Sequence, residues 1–261
     1  MISNQAHKFR GNKPLNLKGG VLIIGSLFWQ DHLDIKKADN IRELWRNRHL
    51  LLDHRIMVSL PIRYGRLSKS NIYTMVFSNS CSKSKRGTGY FIPFKQTPIN
   101  NYYNLQNETK ELSIAEGMKG KFSSKENGTD EIWCVLGLLM NPKTLSKTQE
   151  KDLSDIWSNL LKNQGTIEPD EFKLGREKGC INRSCELNIS WPTPIDIRDY
   201  TTINSYDFII ATVPKPTKYP DINELVENVK ADTTRFYFIE NYKSGITTFQ
   251  DVQVLNRLSN K

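Results

Sequence analysis

Short apolar runs alternate with amphipathic stretches along this chain, and the two patterns predict different elements. Apolar runs rich in β-branched and aromatic residues, bounded by Gly, Pro or Asn, are typical of strands. Pro93 has no N–H to donate to a neighbouring strand, so we expect residues 90–94 to form an edge strand. The predicted strands are residues 20–28, 55–62, 72–78, 90–94, 131–142, 185–192, 206–214 and 235–246, the last of them including a turn.

Apolar residues spaced three and four apart predict helices between these strands. The clearest example is 146–165, where Ser146 and Gln149 have the spacing of a capping box. Asp221 is the expected N-cap of a second helix. The other predicted helices are residues 38–51, 99–120, 221–233 and 247–260. The expected buried face of the first of these consists of Ile41, Leu44, Trp45 and a leucine at 51 or 52.

Interleaved strands and helices without an internal repeat predict an α+β fold. We expect a mixed small β-barrel or a strongly curved sheet with flanking helices. Residues 1–18 are expected to form a basic arm, and residues 19–261 a single domain. The part from about 146 to 261 should pack on the same core, because its apolar content is too high for a disordered tail. The strands expected in one sheet or barrel are 20–27, 55–63, 72–78, 131–140 and 206–213.

Length and hydropathy limit the class of protein. The chain has 261 residues, of which 38% are hydrophobic, enough to bury a sizeable core. No apolar run approaches the roughly 20 residues that span a bilayer, and the polar N-terminus lacks the apolar centre of a signal peptide. We therefore expect a cytoplasmic protein without a membrane partner. The sequence does not indicate an oligomeric state.

The chain is basic, with a formal net charge of +9 and a pI near 9.3. Such a charge favours anionic partners, either a small acidic molecule or nucleic acid. Lys and Arg are scattered, and the densest group, residues 83–86, lies in a glycine-containing loop near Tyr90. No zinc-finger spacing or basic heptad accompanies that loop. A small acidic molecule is therefore the favoured partner, and nucleic acid is the less favoured alternative.

The nucleophilic and metal-ligating residues form no recognised motif. The pair Cys180 and Cys185 has the wrong spacing for a zinc knuckle, and Cys134 lies inside an apolar run typical of a core. The four histidines form no metal pattern, and no serine has a histidine at a diagnostic spacing. We therefore expect neither a metal nor a cofactor.

The end of the first strand is the leading candidate site. Residues 19–31 read GGVLIIGSLFWQD, so a buried strand leads into Gly25, Ser26 and Leu27. Glycine allows a close backbone turn, serine offers a hydroxyl, and successive amides can form an anion-binding nest. We expect these three residues to line a ligand pocket. The alternative is that Gly25 only ends a core strand.

The stretch VLIIGSLFW resembles the opening strand and loop of the gamma-glutamylcyclotransferase-like fold. In that fold the strand ends in Tyr-Gly-Ser-Leu, and the loop amides hold the carboxylate of a gamma-glutamyl group. Ile24 stands here where the family has tyrosine. The order of segments up to about residue 140 is also similar to the family's. The resemblance implies cyclotransfer on a small acidic amide, which needs a general base.

Two acids and one strand end complete the candidate pocket. Glu116 lies in an apolar half-turn that would partly bury it and raise its pKa, so it is the candidate catalytic residue. Glu111 is the weaker candidate, one or two turns earlier. Arg63 and Tyr64 flank a glycine at a strand end and are candidate substrate-binding residues, since a guanidinium suits a carboxylate or phosphate. The alternative is a solvated strand end.

Three functions remain open at this point. The first is a gamma-glutamylcyclotransferase-type enzyme, a lyase or transferase, acting on a small acidic amide. The second is a non-catalytic protein on the same fold that binds a small anion. The third is a nucleic-acid-associated accessory protein that uses the positive charge. An acid facing Gly25 and Ser26 would favour the first, and a pocket of arginine, tyrosine and backbone amides alone would favour the second.

Overall fold

Nine strands and seven α-helices alternate in a computed structural model, which describes residues 15–33, 39–125, 131–162, 167–232 and 236–259. The strands are β1 (Gly19–Ile23), β2 (Ile56–Leu60), β3 (Ile62–Leu67), β4 (Tyr73–Phe77), β5 (Gly87–Pro93), β6 (Ser123–Lys125), β7 (Ile132–Met140), β8 (Thr193–Pro194) and β9 (Phe208–Pro214). The helices are α1 (Ile41–His49), α2 (Tyr102–Ala115), α3 (Lys147–Leu161), α4 (Tyr200–Ile203), α5 (Ile222–Ala231), α6 (Phe236–Lys243) and α7 (Asp251–Ser259).

Seven strands form one mixed sheet in the order β6-β7-β9-β1-β5-β2-β8. Neighbouring strands are antiparallel except β1 and β9, which run parallel. The central register places Val21 between Ile92 of β5 and Ile210 of β9. All five residues of β1 are buried, as expected for an apolar run without alternation. The predicted α+β class is confirmed. Over the described residues the sheet is open and no closed barrel is found.

The segment 72–78 is a strand as predicted, but it does not join the main sheet. It forms β4, which pairs with β3 in a separate two-stranded sheet. Pro61 separates β2 from β3, and a proline cannot donate to the ladder, so the chain leaves the main sheet there. The amide of Ser78 donates to the carbonyl of Pro61 at 2.8 Å, which ties β4 to this corner. Placing 72–78 in the main sheet was therefore wrong.

Three other strand predictions need correction. Pro93 ends β5, which lies between β1 and β2 and is not an edge strand; the proline is tolerated because it comes last. Residues 185–192 make only isolated bridges, and β8 begins at the next residue. Within the predicted strand 235–246, residues Phe236–Lys243 form α6 instead, with Phe238 and Asn241 buried three residues apart. Its aromatic content favours a strand locally, but tertiary packing prevails.

The helix predictions are largely confirmed. The capping box of α3 is present, with Ser146 accepting from the amide of Gln149. Asp221 caps α5 by accepting from the amide of Glu224 at 2.9 Å. No helix among the described residues is long and apolar enough to cross a bilayer.

The first and last parts of the chain meet the same sheet. Residues 1–14 of the predicted arm lie outside the described residues, whereas Leu17 is buried and bridges to Ile99. Near the other end, β9 pairs with both β1 and β7. This arrangement brings the end of β1, the helices α1 and α2, and the later helix α6 to the candidate site.

Candidate functional site

The chain makes one helical turn directly after β1. The amide of Phe28 donates to the carbonyl of Gly25 at 3.0 Å, and that of Gln30 donates to the carbonyl of Ser26 at 2.8 Å. The first N–H groups of a helical turn have no internal acceptor. Within the described ranges, the amides of Gly25, Ser26 and Leu27 donate no hydrogen bond. Gly25 and Ser26 are partly exposed, whereas Leu27 is buried.

Arg42 of α1 joins this turn to the end of α2. Its Nη1 donates to Ser26 Oγ at 3.2 Å and to Gln30 Oε1 at 2.9 Å, while its Nε donates to the carbonyl of Ala115 at 3.1 Å. The residue is buried. A guanidinium held by these neutral acceptors places a cationic group at the turn, and the planar fork of such a group suits a carboxylate or phosphate.

Arg46 lies one helical turn after Arg42 and fixes the backbone of the same loop. Its Nη1 donates to the carbonyl of Leu27 at 2.9 Å and to that of Gln30 at 3.0 Å, and its Nη2 pairs with Asp31. Burial lowers the pKa of Arg46, with Asp31 acting against that shift. The first two contacts hold the Leu27 and Gln30 carbonyls against α1, and the third holds the Asp31 side chain there.

The buried face of α1 therefore differs from the predicted one. Trp45 is buried as expected, but Leu44 is 37% exposed, and Arg42 and Arg46 point inward. The arginines are buried because the carbonyls of the turn and of Ala115 need donors, and a guanidinium supplies several in a fixed plane.

Glu116 follows the last residue of α2 and lies beside Arg42. Its Oε2 is buried and has no hydrogen-bond partner among the residues that the structure describes. Burial raises the pKa of the Glu116 carboxyl, while the positive charge of Arg42 acts to lower it. Buried side-chain oxygens without a partner are uncommon, and they often mark a position where a ligand or water binds. The geometry brings the predicted acid close to the guanidinium that contacts Ser26.

Tyr237 of α6 closes the other side of the turn. A Cβ atom added to Gly25 would lie 3.0 Å from the Tyr237 hydroxyl oxygen, so a larger residue would crowd it. That oxygen accepts from the amide of Met75 at 3.3 Å. Burial raises the pKa of Tyr237 to about 12, so the hydroxyl stays neutral. The sequence missed this residue because 235–246 was predicted as a strand.

Trp29 holds α6 against the turn. Its indole Nε1 donates to Asn241 Oδ1 at 2.9 Å. Its ring meets those of Phe236 and Tyr237 edge to face, with centroids 5.0 and 6.3 Å away. The turn and the start of α6 therefore form one aromatic wall.

Arg63 and Tyr64 lie on opposite faces of β3, as neighbouring strand residues do. Arg63 stacks its guanidinium over the ring of Tyr219, 4.1 Å from the centroid, and its Nη1 donates to Ser80 Oγ at 3.4 Å. Tyr64 is fully buried, and burial followed by the charge of Asp251 raises its pKa. Arg63 is thus engaged with residues other than those of the turn, where Arg42 supplies the guanidinium.

Glu111 belongs to a different contact. Its carboxylate lies 4.0 Å from Nε2 of His49, whose Nδ1 is 2.9 Å from Glu108. This acid contributes to the packing of α1 on α2 and does not share the environment of Glu116.

Comparisons with protein-family models, with curated proteins and with solved structures return no match for this chain. A role for the site therefore has to be argued from its own chemistry.

Proposed function

We propose that the protein is a gamma-glutamylcyclotransferase-type enzyme that binds a small acidic amide at the turn Gly25–Leu27. The observation that carries this proposal is the position of Glu116. Its buried carboxyl oxygen, which has no partner within the described part of the chain, lies beside Arg42, and Arg42 donates to Ser26 of the turn. A base, a cation and unpaired amides in one place are what cyclotransfer on a carboxylate-bearing substrate requires.

The proposed reaction transfers one proton, forms one C–N bond and breaks another. The α-amine nitrogen of a gamma-glutamyl amide attacks its own γ-carbonyl carbon, and the bond from that carbon to the leaving amine breaks. Glu116 takes the proton from the attacking nitrogen and returns it to the leaving nitrogen. The products are a five-membered lactam, 5-oxoproline, and a free amine. The raised pKa of Glu116 makes its carboxylate a stronger base for this step.

The substrate's α-carboxylate would be held by the charge of Arg42 and the free amides of the turn. Arg46 would act only as a positioning residue, because its contacts are with the backbone carbonyls of Leu27 and Gln30 and with Asp31. Tyr237 would exclude water from the turn and remains neutral at ordinary pH.

The test is formation of 5-oxoproline from gamma-glutamyl dipeptides at millimolar concentration, followed by chromatography. We expect turnover by the parent and a loss of kcat of about a hundredfold or more in Glu116→Gln, the usual contribution of a general base. Glu111→Gln is the matched control, since it removes the same charge from α2, beside His49 and away from the turn. It should retain the parent's kcat.

If Glu111→Gln loses as much activity as Glu116→Gln, then Glu116 has no specific role in the reaction. The whole proposal fails if the parent neither binds nor converts any gamma-glutamyl dipeptide. Thermal melting of each variant separates loss of chemistry from loss of folding.

A non-catalytic small-anion-binding protein is the second candidate, and Arg42 is the observation that favours it. Its guanidinium would bind a carboxylate or phosphate at the turn whether or not Glu116 transfers a proton. Calorimetry distinguishes the two functions, because this candidate binds gamma-glutamyl dipeptides without producing 5-oxoproline. Arg42→Gln should then abolish binding, while Glu116→Gln should leave it intact.

A further inference from the structure

An open cleft of about 510 Å³ lies in the segment between α3 and β8. One wall comes from a short 3-10 helix, Pro169–Phe172, followed by Lys173, and another comes from residues 182–184. Gly179 and Ile181 also line it. Its volume is within the range of small-molecule sites. None of its lining residues belongs to the site around Glu116, and we call it the basic cleft.

Positive charge dominates the lining of the basic cleft. Lys173, Lys178 and Arg183 line it together with one acid, Asp170. Among the described residues the lining includes no aromatic residue, so these residues offer no stacking platform for a base. The remaining polar groups, among them the Ser184 hydroxyl, are small hydrogen-bonding groups. This composition favours an anion recognised by its charge and oxygen atoms.

The residues between the walls are held by hydrogen bonds from outside the segment. The side-chain amide of Asn79 donates to the carbonyls of Lys178, Gly179 and Asn188 at 3.1, 3.2 and 3.1 Å. The carboxylate of Glu177 accepts from Ser78 Oγ at 2.7 Å. Fixed walls reduce the entropy lost when a ligand binds.

The turn that presents Arg183 is fixed from within. The side-chain carbonyl of Asn182 accepts from the amides of Ser184 and Glu186, both at 2.9 Å. The amide of Leu138 in β7 donates to the carbonyl of Cys185 at 3.0 Å, which anchors the turn on the main sheet. Arg183 and Ser184 are therefore held at the tip of a braced turn.

The cations of the basic cleft are only weakly committed to protein partners. Lys173 pairs with Asp170 at 2.6 Å and Arg183 with Glu168 at 3.7 Å, but both acids are exposed. Exposed ion pairs contribute little stability, so a phosphate oxygen can replace either acid. Lys178 is exposed and makes no ion pair or side-chain hydrogen bond within the described part of the chain.

We propose that the basic cleft binds a small oligophosphate. Two walls carry cations that face one space, so a chain of linked phosphates can contact both walls where a single phosphate would contact one. Arginine suits this role because its planar fork can donate two parallel hydrogen bonds to a phosphate. Without an aromatic residue in the lining, single-stranded nucleic acid is the less favoured ligand.

The experiment is calorimetric titration of the full chain with inorganic tripolyphosphate, pyrophosphate and phosphate, at low and at physiological salt. We expect saturable one-to-one binding with affinity falling in that order. Arg183→Gln should lose about tenfold or more in affinity, since the lost contact involves a charged group. Arg198→Gln is the matched control, because Arg198 is equally exposed and pairs with Asp196 outside the cleft. It should bind tripolyphosphate within about twofold of the parent.

Three results would overturn the proposal. One is the absence of saturable binding of tripolyphosphate by the parent at millimolar concentration. Another is an equal loss of affinity in Arg198→Gln and in Arg183→Gln, which would mean only a general effect of net charge. A short single-stranded RNA that binds more tightly than tripolyphosphate would also reject the small ligand. These outcomes are independent of the activity assay for Glu116.

Discussion

Asp251 is a carboxyl group enclosed by protein at the start of α7. Its oxygens accept from the amide of Thr248 at 3.0 Å and from the Thr248 hydroxyl at 2.8 Å. Burial outweighs these bonds and raises the pKa of Asp251 to about 6. An acid whose pKa is higher in the folded than in the unfolded state favours folding while it is protonated. This contribution to stability is fully present below the unfolded pKa of about 4, and it is lost as the pH rises through the folded pKa of about 6.

We therefore predict that Asp251→Asn flattens the pH dependence of stability over this range. The free energy of unfolding of the parent should fall relative to the variant by up to about 3 kcal/mol from pH 4 to pH 7, from a shift of about two pKa units. Urea titrations at several pH values measure the difference. A constant difference between parent and variant would show that Asp251 does not titrate there.

The site was only partly predictable residue by residue. Glu116 could be proposed because an apolar half-turn surrounds it, and burial follows from local sequence. Arg42 could not, because an arginine on a charged helix normally faces solvent, and only the distant carbonyl of Ala115 and the hydroxyl of Ser26 explain its burial. Tyr237 depends on α6 and the turn meeting in space, and no local pattern records that contact.

At the scale of elements, the helices α1 and α2 are joined by a buried pair. His49 Nδ1 lies 2.9 Å from Glu108 Oε2, and the Glu108 side chain is only 2% exposed. The hydrogen bond that His49 donates to the Glu108 carboxylate raises the pKa of His49, against the effect of burial. Because α1 carries Arg42 and α2 leads to Glu116, the pair also orients the two helices of the candidate site.

We predict that His49→Gln loses a pH-dependent part of stability, on the order of 1 kcal/mol for a charged hydrogen bond. A base with a raised folded pKa stabilises the protein below its unfolded pKa, and this stability is lost as pH rises through the folded pKa. The free energy of unfolding of the parent should therefore exceed that of the variant by more at about pH 5.5 than at about pH 8.5. These two pH values lie on either side of the usual histidine pKa. His54→Gln is the control, since the His54 side chain makes no ion pair or hydrogen bond within the described residues. An equal parent–variant gap at both pH values would contradict the prediction.

Local signals account for the elements that were predicted correctly. Caps such as Ser146 and Asp221 act within one turn, so they can be read from neighbouring residues. The errors at β4 and α6 came from contacts distant in sequence. The course of β4 depends on Pro61 ending the ladder, and α6 is helical although its residues favour a strand.

At the scale of the whole molecule, the sheet joins the two ends of the chain. β9 lies between β1 and β7, where Ile210 pairs with Val21 on one side and Leu138 on the other. This order could not be read from sequence, because strand runs with similar apolar content carry no record of their neighbours. The segment between β7 and β9 holds the basic cleft, so the candidate sites lie on different parts of one sheet.

The position of β9 predicts the result of removing everything after residue 205. The fragment 1–205 would lose β9 and expose the inner edges of β1 and β7, two long apolar strands whose free N–H and C=O groups favour aggregation. It would also lose α6 and α7, including Tyr237 beside the turn. We expect the fragment to be insoluble or to melt without a cooperative transition, whereas the full chain melts cooperatively.

Expression of 1–205 with and without separately supplied 206–261 provides the control. If β9 completes the sheet, the second fragment should restore solubility when both are refolded together, and circular dichroism melting should regain a cooperative transition. A variant of the second fragment with Ile210→Asp should not restore it, because an unpaired charge would replace a fully buried residue paired on both sides. A soluble, cooperatively folding 1–205 fragment would instead mean that the sheet is complete without β9 and that the C-terminal part folds as a separate unit.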